Sequence, residues 1–273
     1  MPSHRFIMSL PVALFITLAA VIYQRTTGPT YPKKTIIQAA GNQIKVPLPR
    51  SHESGMNAPV LIPIVETGMS ARLFFRRYPT NDPWTQSPLR ADGNQLVGEL
   101  PSQPPAGKLQ YYIGIHTSGK EQMLGGPEEP IVIRFKGAVP TAILAPHIFF
   151  MFFSMLLSVL AGVEALFRTQ SYFKVSVITT GCLFLGGMVL GPIVQKYAFG
   201  VYWAGFPYGY DLTDNKLLIC VILWVLALIL NREKARPQWV ILAAMVLLIM
   251  YTIPHSTRGS QYNYHKGEIE TAR

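Results

Sequence analysis

The sequence predicts an α-helical polytopic membrane protein of five transmembrane helices, with an all-β sandwich inserted between the first and the second. Three observations predict it. Apolar runs stand at 6–23, 141–167, 173–194, 217–230 and 239–253, while the stretch 35–136 has the two-residue period of strands. The composition is 49% hydrophobic with only 14% charged residues, against ~25% charged in an ordinary soluble domain. A formal charge of +10 would suit nucleic acid in a soluble chain, but here Lys and Arg gather beside the apolar runs, as membrane flanks do. No nucleic-acid partner is expected. Both cysteines, Cys182 and Cys220, lie inside apolar runs, which leaves neither a disulfide framework nor a CxxC motif.

Residues 6–23, FIMSLPVALFITLAAVIY, follow a short basic start at His4 and Arg5. No A-x-A-like site stands just after them, so residues 1–24 read as a retained anchor, with a cleaved signal peptide as the alternative. Gly28, Pro29 and Pro32 mark 25–34 as a linker.

Between 35 and 138 the segments QIKVPL, PVLIPIVE, ARLFFRRY, NQLVGEL, KLQYYIGIH and IVIRFK recur between turn signals, as the strands of a sandwich do. In KLQYYIGIH, alternation sets Leu109, Tyr111, Ile113 and Ile115 on one face and Gln110, Tyr112, Gly114 and His116 on the other. The segment ELPSQPPAGKLQYYIGIHTSG resembles a strand pair of immunoglobulin-like and fibronectin type III-like modules, in which a Pro-Gly turn precedes a Tyr-rich strand. The resemblance covers about 20 residues. It implies binding, adhesion or spacing more often than catalysis, since a fold alone fixes no function.

Pro140 ends the β domain, and a four-helix membrane domain (139–255) is expected, with spans at 141–167, 173–194, 212–230 and 238–253. The short loops RTQSYFK and NREKARPQ carry two and three Lys or Arg, which places them in the cytoplasm by the positive-inside rule. The N-terminus is then cytoplasmic. The sandwich, the connection 195–216 and the tail 256–273 lie outside. The expected setting is a bacterial cytoplasmic membrane, with a periplasmic sandwich.

The connection, QKYAFGVYWAGFPYGYDLTDNK, is the most informative stretch. The run 217–230 holds 14 residues, about 21 Å of helix, against a hydrocarbon core of ~30 Å. Roughly six residues of DLTDNK must supply the rest, which draws Asp211, Asp214 and Lys216 toward apolar depth. Such groups are expected to face protein or a water-filled cavity and to pair with one another; a short helix in a thinned bilayer is the plainer alternative. Thr213 and Asp214 are good N-cap types for the following helix. A proton or cation relay, or a site for an anionic headgroup or quinone, would use these groups. Tyr202, Trp203, Phe206, Tyr208 and Tyr210 read as an interfacial belt on a folded loop.

A second constellation is His147, Met151 and Met155, at i, i+4 and i+8 and hence on one helical face, with Met250 and His255 at the end of the last span. Imidazole with thioether suits Cu(I), and two imidazoles could ligate haem b iron. Methionine is equally an ordinary filler of apolar gaps. No cofactor is the leading expectation, with haem b or copper as the alternative, and no CxxCH occurs. Glu164 with Arg168 at i+4 suggests a helix-surface ion pair, and Gly181, Gly186, Gly187 and Gly191 suggest a face that meets another helix.

No nucleophile elbow, P-loop, HExxH or dinucleotide fingerprint appears, so nothing supports an enzyme. The expectation is a non-catalytic, membrane-anchored binding or accessory subunit of an envelope complex. Its partners would be the lipid bilayer and other membrane or envelope proteins, or further copies of itself. The alternatives are a redox or metal-handling membrane protein using His147 and His255, and a small transporter or proton relay using Asp211, Asp214 and Lys216.

Overall fold

Two separate apolar cores organise the chain, one between β-sheets and one among helices. The computed structural model describes residues 4–39, 42–117, 120–254 and 259–270. Among these there are five helices: α1 (His4–Thr27), α2 (Thr141–Leu166), α3 (Tyr172–Phe199), α4 (Leu212–Asn231) and α5 (Pro237–Thr252). The first four are long and apolar enough to cross a membrane. With 16 residues α5 covers ~24 Å, short of the ~30 Å core.

The β domain holds its core between two sheets. One runs β3 (Ser51–Glu53), β11 (Ile131–Lys136), β9 (Lys108–Thr117), β5 (Ser70–Arg77), β6 (Thr85–Pro88), with β10 (Lys120–Leu124) also on β9. The other runs β4 (Ala58–Pro63), β8 (Gln95–Leu100), β7 (Arg90–Asp92). A hairpin of β1 (Lys33–Ala39) and β2 (Asn42–Leu48) precedes them. The alternation expected of KLQYYIGIH holds: Leu109, Tyr111, Ile113 and Ile115 point into the core. The other face is covered as well. Phe74 stacks on Tyr112 at 4.6 Å and Trp84 meets the same ring edge-on, which is why β9 is buried on both sides.

In the helical core α2 packs against α1, α3 and α5. The face of α1 turned inward carries Ser9, Ala13, Thr17 and Ala20, small side chains at near-helical spacing that permit close approach. The opposite face exposes Met8, Phe15, Leu18 and Ile22. The glycines of the third helix divide in the same way. A Cβ at Gly186 would press on Phe150 and Met151 of α2, and one at Gly187 on Leu217 of α4, whereas Gly181 faces open space.

Two expectations are corrected. The connection was expected to begin at Gln195, yet α3 continues to Phe199 and stops where Gly200 takes a left-handed conformation (φ 80°) that glycine adopts without cost. The polar pair Gln195–Lys196 suggested a helix end, but the Gln195 amide finds a partner in Asp214 across the bundle. Within α3, Phe184–Leu190 is π-helical. Pro192 follows immediately and lacks the N–H that an α-helix would offer to Met188. The second correction concerns Glu164, which does not pair with Arg168. Arg168 lies past the helix end at φ 50° and is exposed, while the buried carboxylate accepts hydrogen bonds from Thr169, Ser171 and Ser9.

The cores meet at Gly137. Its N–H donates to the carbonyl of Ala198 at 2.9 Å, and a Cβ there would collide with the Tyr197 carbonyl oxygen. Past α5 the chain returns to the β domain as a second hairpin, β12 (Gln261–Asn263) with β13 (Glu268–Glu270). The Tyr262 N–H donates to Ala106, and the Tyr264 hydroxyl accepts from the N–H of Lys108 and donates to its C=O, both at 2.9 Å.

Candidate functional site

α4 begins at Leu212, and this single boundary positions most of the site. Its 20 residues span ~30 Å, so LTDNK belongs to the helix with Asp211 just ahead of it, and Asp211, Asp214 and Lys216 are all buried. Asp211 is the N-cap: Oδ1 accepts from Thr213 N–H at 2.8 Å and from Asp214 N–H at 3.3 Å. Its Oδ2 accepts from Ser260 N–H at 3.2 Å. Asp214 Oδ2 accepts from Ala204 N–H at 2.6 Å and from Gln195 Nε2 at 3.0 Å, which pins the loop 200–211 over the helix start. Lys216 Nζ donates to the Ile253 carbonyl at 2.7 Å, tying α4 to the end of α5.

These three groups were expected to pair with one another, and no described ion pair joins them. The reason lies in the competing partners: the free N–H groups of the helix terminus engage Asp211, the Ala204 N–H and the Gln195 amide engage Asp214, and Lys216 reaches the Ile253 carbonyl instead.

A cavity of about 450 Å³ opens beside them. Asp211, Asp214, Lys216 and Gln195 line it, together with His147, Met151 and Met155 of α2 and Met250 of α5. The two constellations read separately from the sequence therefore share one space. His147 Nδ1 lies 2.9 Å from the Gly186 carbonyl; a carbonyl only accepts, so Nδ1 carries the proton. His255 lies outside the described residues. Among the described residues no cluster of three His, Cys, Asp or Glu is placed to hold a metal. The belt residues Tyr202, Phe206, Tyr208 and Tyr210 stand on the outer surface of the loop, Tyr208 at 81% exposure. Trp203 is half-buried, its indole N–H on the Phe206 carbonyl at 3.0 Å.

One residue of the site escaped the sequence reading. Arg134, on β11, points away from the β-domain core, whose side of the strand carries Ile131, Ile133 and Phe135, and lines the cavity. Its guanidinium lies 4.1 Å over the Phe199 ring and donates from Nη2 to the Ser260 carbonyl at 2.6 Å. Its Nε meets no acceptor among the described residues. Burial draws its pKa down to about 10, against the upward pull of Asp211. Alternation alone marks Arg134 as an outward strand residue, and nothing in IVIRFK separates it from a solvated arginine.

No protein-family model matches this chain, and no curated protein matches it.

The lining mixes two kinds of side chain: Arg134, Asp211, Asp214, Gln195, Lys216 and His147 are polar, and Leu144, Met151, Met155, Leu183 and Leu247 apolar.

Proposed function

We propose that this protein is a non-catalytic, membrane-anchored binding or accessory subunit whose cavity takes a small membrane-borne molecule. The observation that carries the reading is that one space of about 450 Å³ is lined both by the β domain, through Arg134, and by α2, α3, α4 and α5. Its size falls in the roughly 300–1,000 Å³ range of small-molecule sites, and an apolar wall with a few convergent polar groups is their usual make-up. An occupant would touch both halves at once.

In this reading the five helices sit in a bilayer. The lipid-facing surface is the exposed apolar side of α1, with Phe149 and Phe153 of α2 and Ile229 of α4. The basic loops at 168–174 and 231–238 lie in the cytoplasm, which leaves the immunoglobulin-like sandwich on the periplasmic side of a bacterial inner membrane, free to meet an envelope partner. Shallow α5 is compatible with local thinning. The haem or copper reading depends on His255, outside the described residues, and the relay reading on carboxylates already held by backbone N–H groups. Ligand binding requires neither.

Native mass spectrometry of the full-length protein, released from nanodiscs, tests this. A bound mass of small-molecule size should be present and should disappear in Met151→Trp, which fills the space. Identical spectra for both proteins, each folded by its melting transition, would defeat the reading.

A further inference from the structure

We infer that the occupant of this cavity is a single-chain anionic amphiphile, its carboxylate or phosphate head held by Arg134 and Lys216 and its hydrocarbon chain among the apolar side chains of α2, α3 and α5. The inference rests on the binding reading above and adds the ligand class.

The asymmetry between the charges in the cavity carries it. Two carboxyl groups and two basic groups line the space. The two carboxylates are already served: Asp211 accepts three backbone N–H groups, and Asp214 accepts Ala204 N–H and the Gln195 amide. The two cations are not served in the same measure. An ammonium has three donors and a guanidinium five. The Ile253 carbonyl takes one from Lys216, the Ser260 carbonyl takes one from Arg134, and Arg134 Nε is unmet among the described residues. Neither cation belongs to a described ion pair. Lys108, directly across the strand pair from Arg134, adds a third basic group beside them.

Asp211 supplies part of the counter-charge to Arg134, but with Lys108 the cations number three against two carboxylates, and the spare N–H donors of Arg134 and Lys216 are met best by an anion, whose charge-assisted hydrogen bonds are the stronger ones. A neutral polar head would accept weaker hydrogen bonds, and a cationic head would bring no acceptor. The tail follows from the remaining surface. Leu183, Leu247 and Met155 also line the cavity; they offer a polar chain no strong donor or acceptor but suit methylene groups.

The test uses the full-length protein in phosphatidylcholine nanodiscs and a nitroxide-labelled stearic acid, followed by the motionally restricted component of its spectrum. The acid should bind saturably and at least tenfold more tightly than its methyl ester, and Lys216→Gln and Arg134→Gln should each weaken the acid at least tenfold while leaving the ester within a factor of two. Hexadecyl phosphate should displace the label; displacement by phosphate but not by unlabelled stearate, or the reverse, assigns the head within the anionic class. Equal affinity for acid and ester, or an acid affinity unchanged in both variants, overturns the inference. If a labelled alkylammonium or the ester binds best and Met151→Trp abolishes that binding, the cavity reading stands and the anionic head falls. If no probe binds saturably, the cavity reading falls with it. Melting of each variant in the same nanodiscs separates lost binding from lost fold.

Discussion

Arg134 stands over Phe199, guanidinium carbon 4.1 Å from the ring centroid, and through this contact the last strand of the β domain grips the end of α3. Cation–ring contacts contribute about 0.5–1 kcal/mol at exposed sites and ~2 kcal/mol when desolvated. Arg134 is buried, so the upper figure applies. The same guanidinium holds the Ser260 carbonyl, while Asp211 takes the Ser260 N–H. One residue of the returning C-terminal segment, Ser260, is thus clasped between strand and helix.

Phe199→Leu is therefore expected to lower stability by about 1–2 kcal/mol, and by clearly less when Arg134 is already Gln. A double-mutant cycle on unfolding in detergent measures the coupling. Effects that add to within about 0.5 kcal/mol would leave the pair without interaction.

The cap at Asp211 predicts a different ranking. Asp211→Ala removes the acceptor for two N–H groups at the head of α4 and for Ser260 N–H, and should cost about 1–2 kcal/mol, the upper part of the N-cap range. Asp211→Asn should cost less, since Asn caps well but turns an amide donor or a single oxygen toward three N–H groups. Apparent melting midpoints of the two variants check the order; an Ala variant as stable as the parent would rule out the cap as a stabilising feature.

How much of this was readable beforehand depends on the range of the interaction. The burial of Asp211, Asp214 and Lys216 accords with a length deficit in the run 217–230, a purely local count. Alternation along 109–115 gave the core face of β9 for the same reason. The co-lining of one cavity by His147 and Lys216 was legible only as two separate patterns, because helical period fixes a face and not which faces meet. Arg134 was invisible, since its role depends on where a strand end lands relative to a helix some 65 residues later. The end of α3 was misplaced because Gln195 and Lys196 are polar, and a polar residue inside a helix can be seen as interior only once its partner Asp214 is known.

Gly137 predicts the fate of the seam. Any Cβ there meets the Tyr197 carbonyl oxygen, a backbone atom that cannot rotate away. Gly137→Ala should push the β domain off α3 and break the Gly137 N–H bond to Ala198. Faster amide exchange at 137 and 200, with the β-domain core still protected, is the expected signature. Unchanged exchange at both positions would mean that the seam gives without opening.

Lys108 predicts how the C-terminal hairpin responds to alkali. It sits directly across from Arg134 in the β9–β11 pair, donates from Nζ to the Gln261 side chain at 3.0 Å, and shares its backbone with Tyr264. Burial, and after it the charge of Arg134, bring its pKa from 10.5 down to about 8. Between about pH 8 and 10.5 the folded chain has released this proton and the unfolded chain still holds it, so stability rises with pH there. The Tyr264 hydroxyl works in the opposite sense. Its pKa is raised from 10 to about 12, chiefly by burial, so the unfolded chain loses that proton first and stability falls as pH climbs from 10 toward 12. The apparent melting midpoint should therefore increase from pH 8, pass a maximum near pH 10 and then decline. Lys108→Met should lessen the rising limb and keep the decline, whereas Tyr264→Phe should make the decline shallower and keep the rise; the buried Tyr111 hydroxyl, its pKa also raised by burial, sustains the remaining fall. A parent profile that falls steadily from pH 8 would show that Lys108 is as well solvated in the folded chain as in the unfolded one.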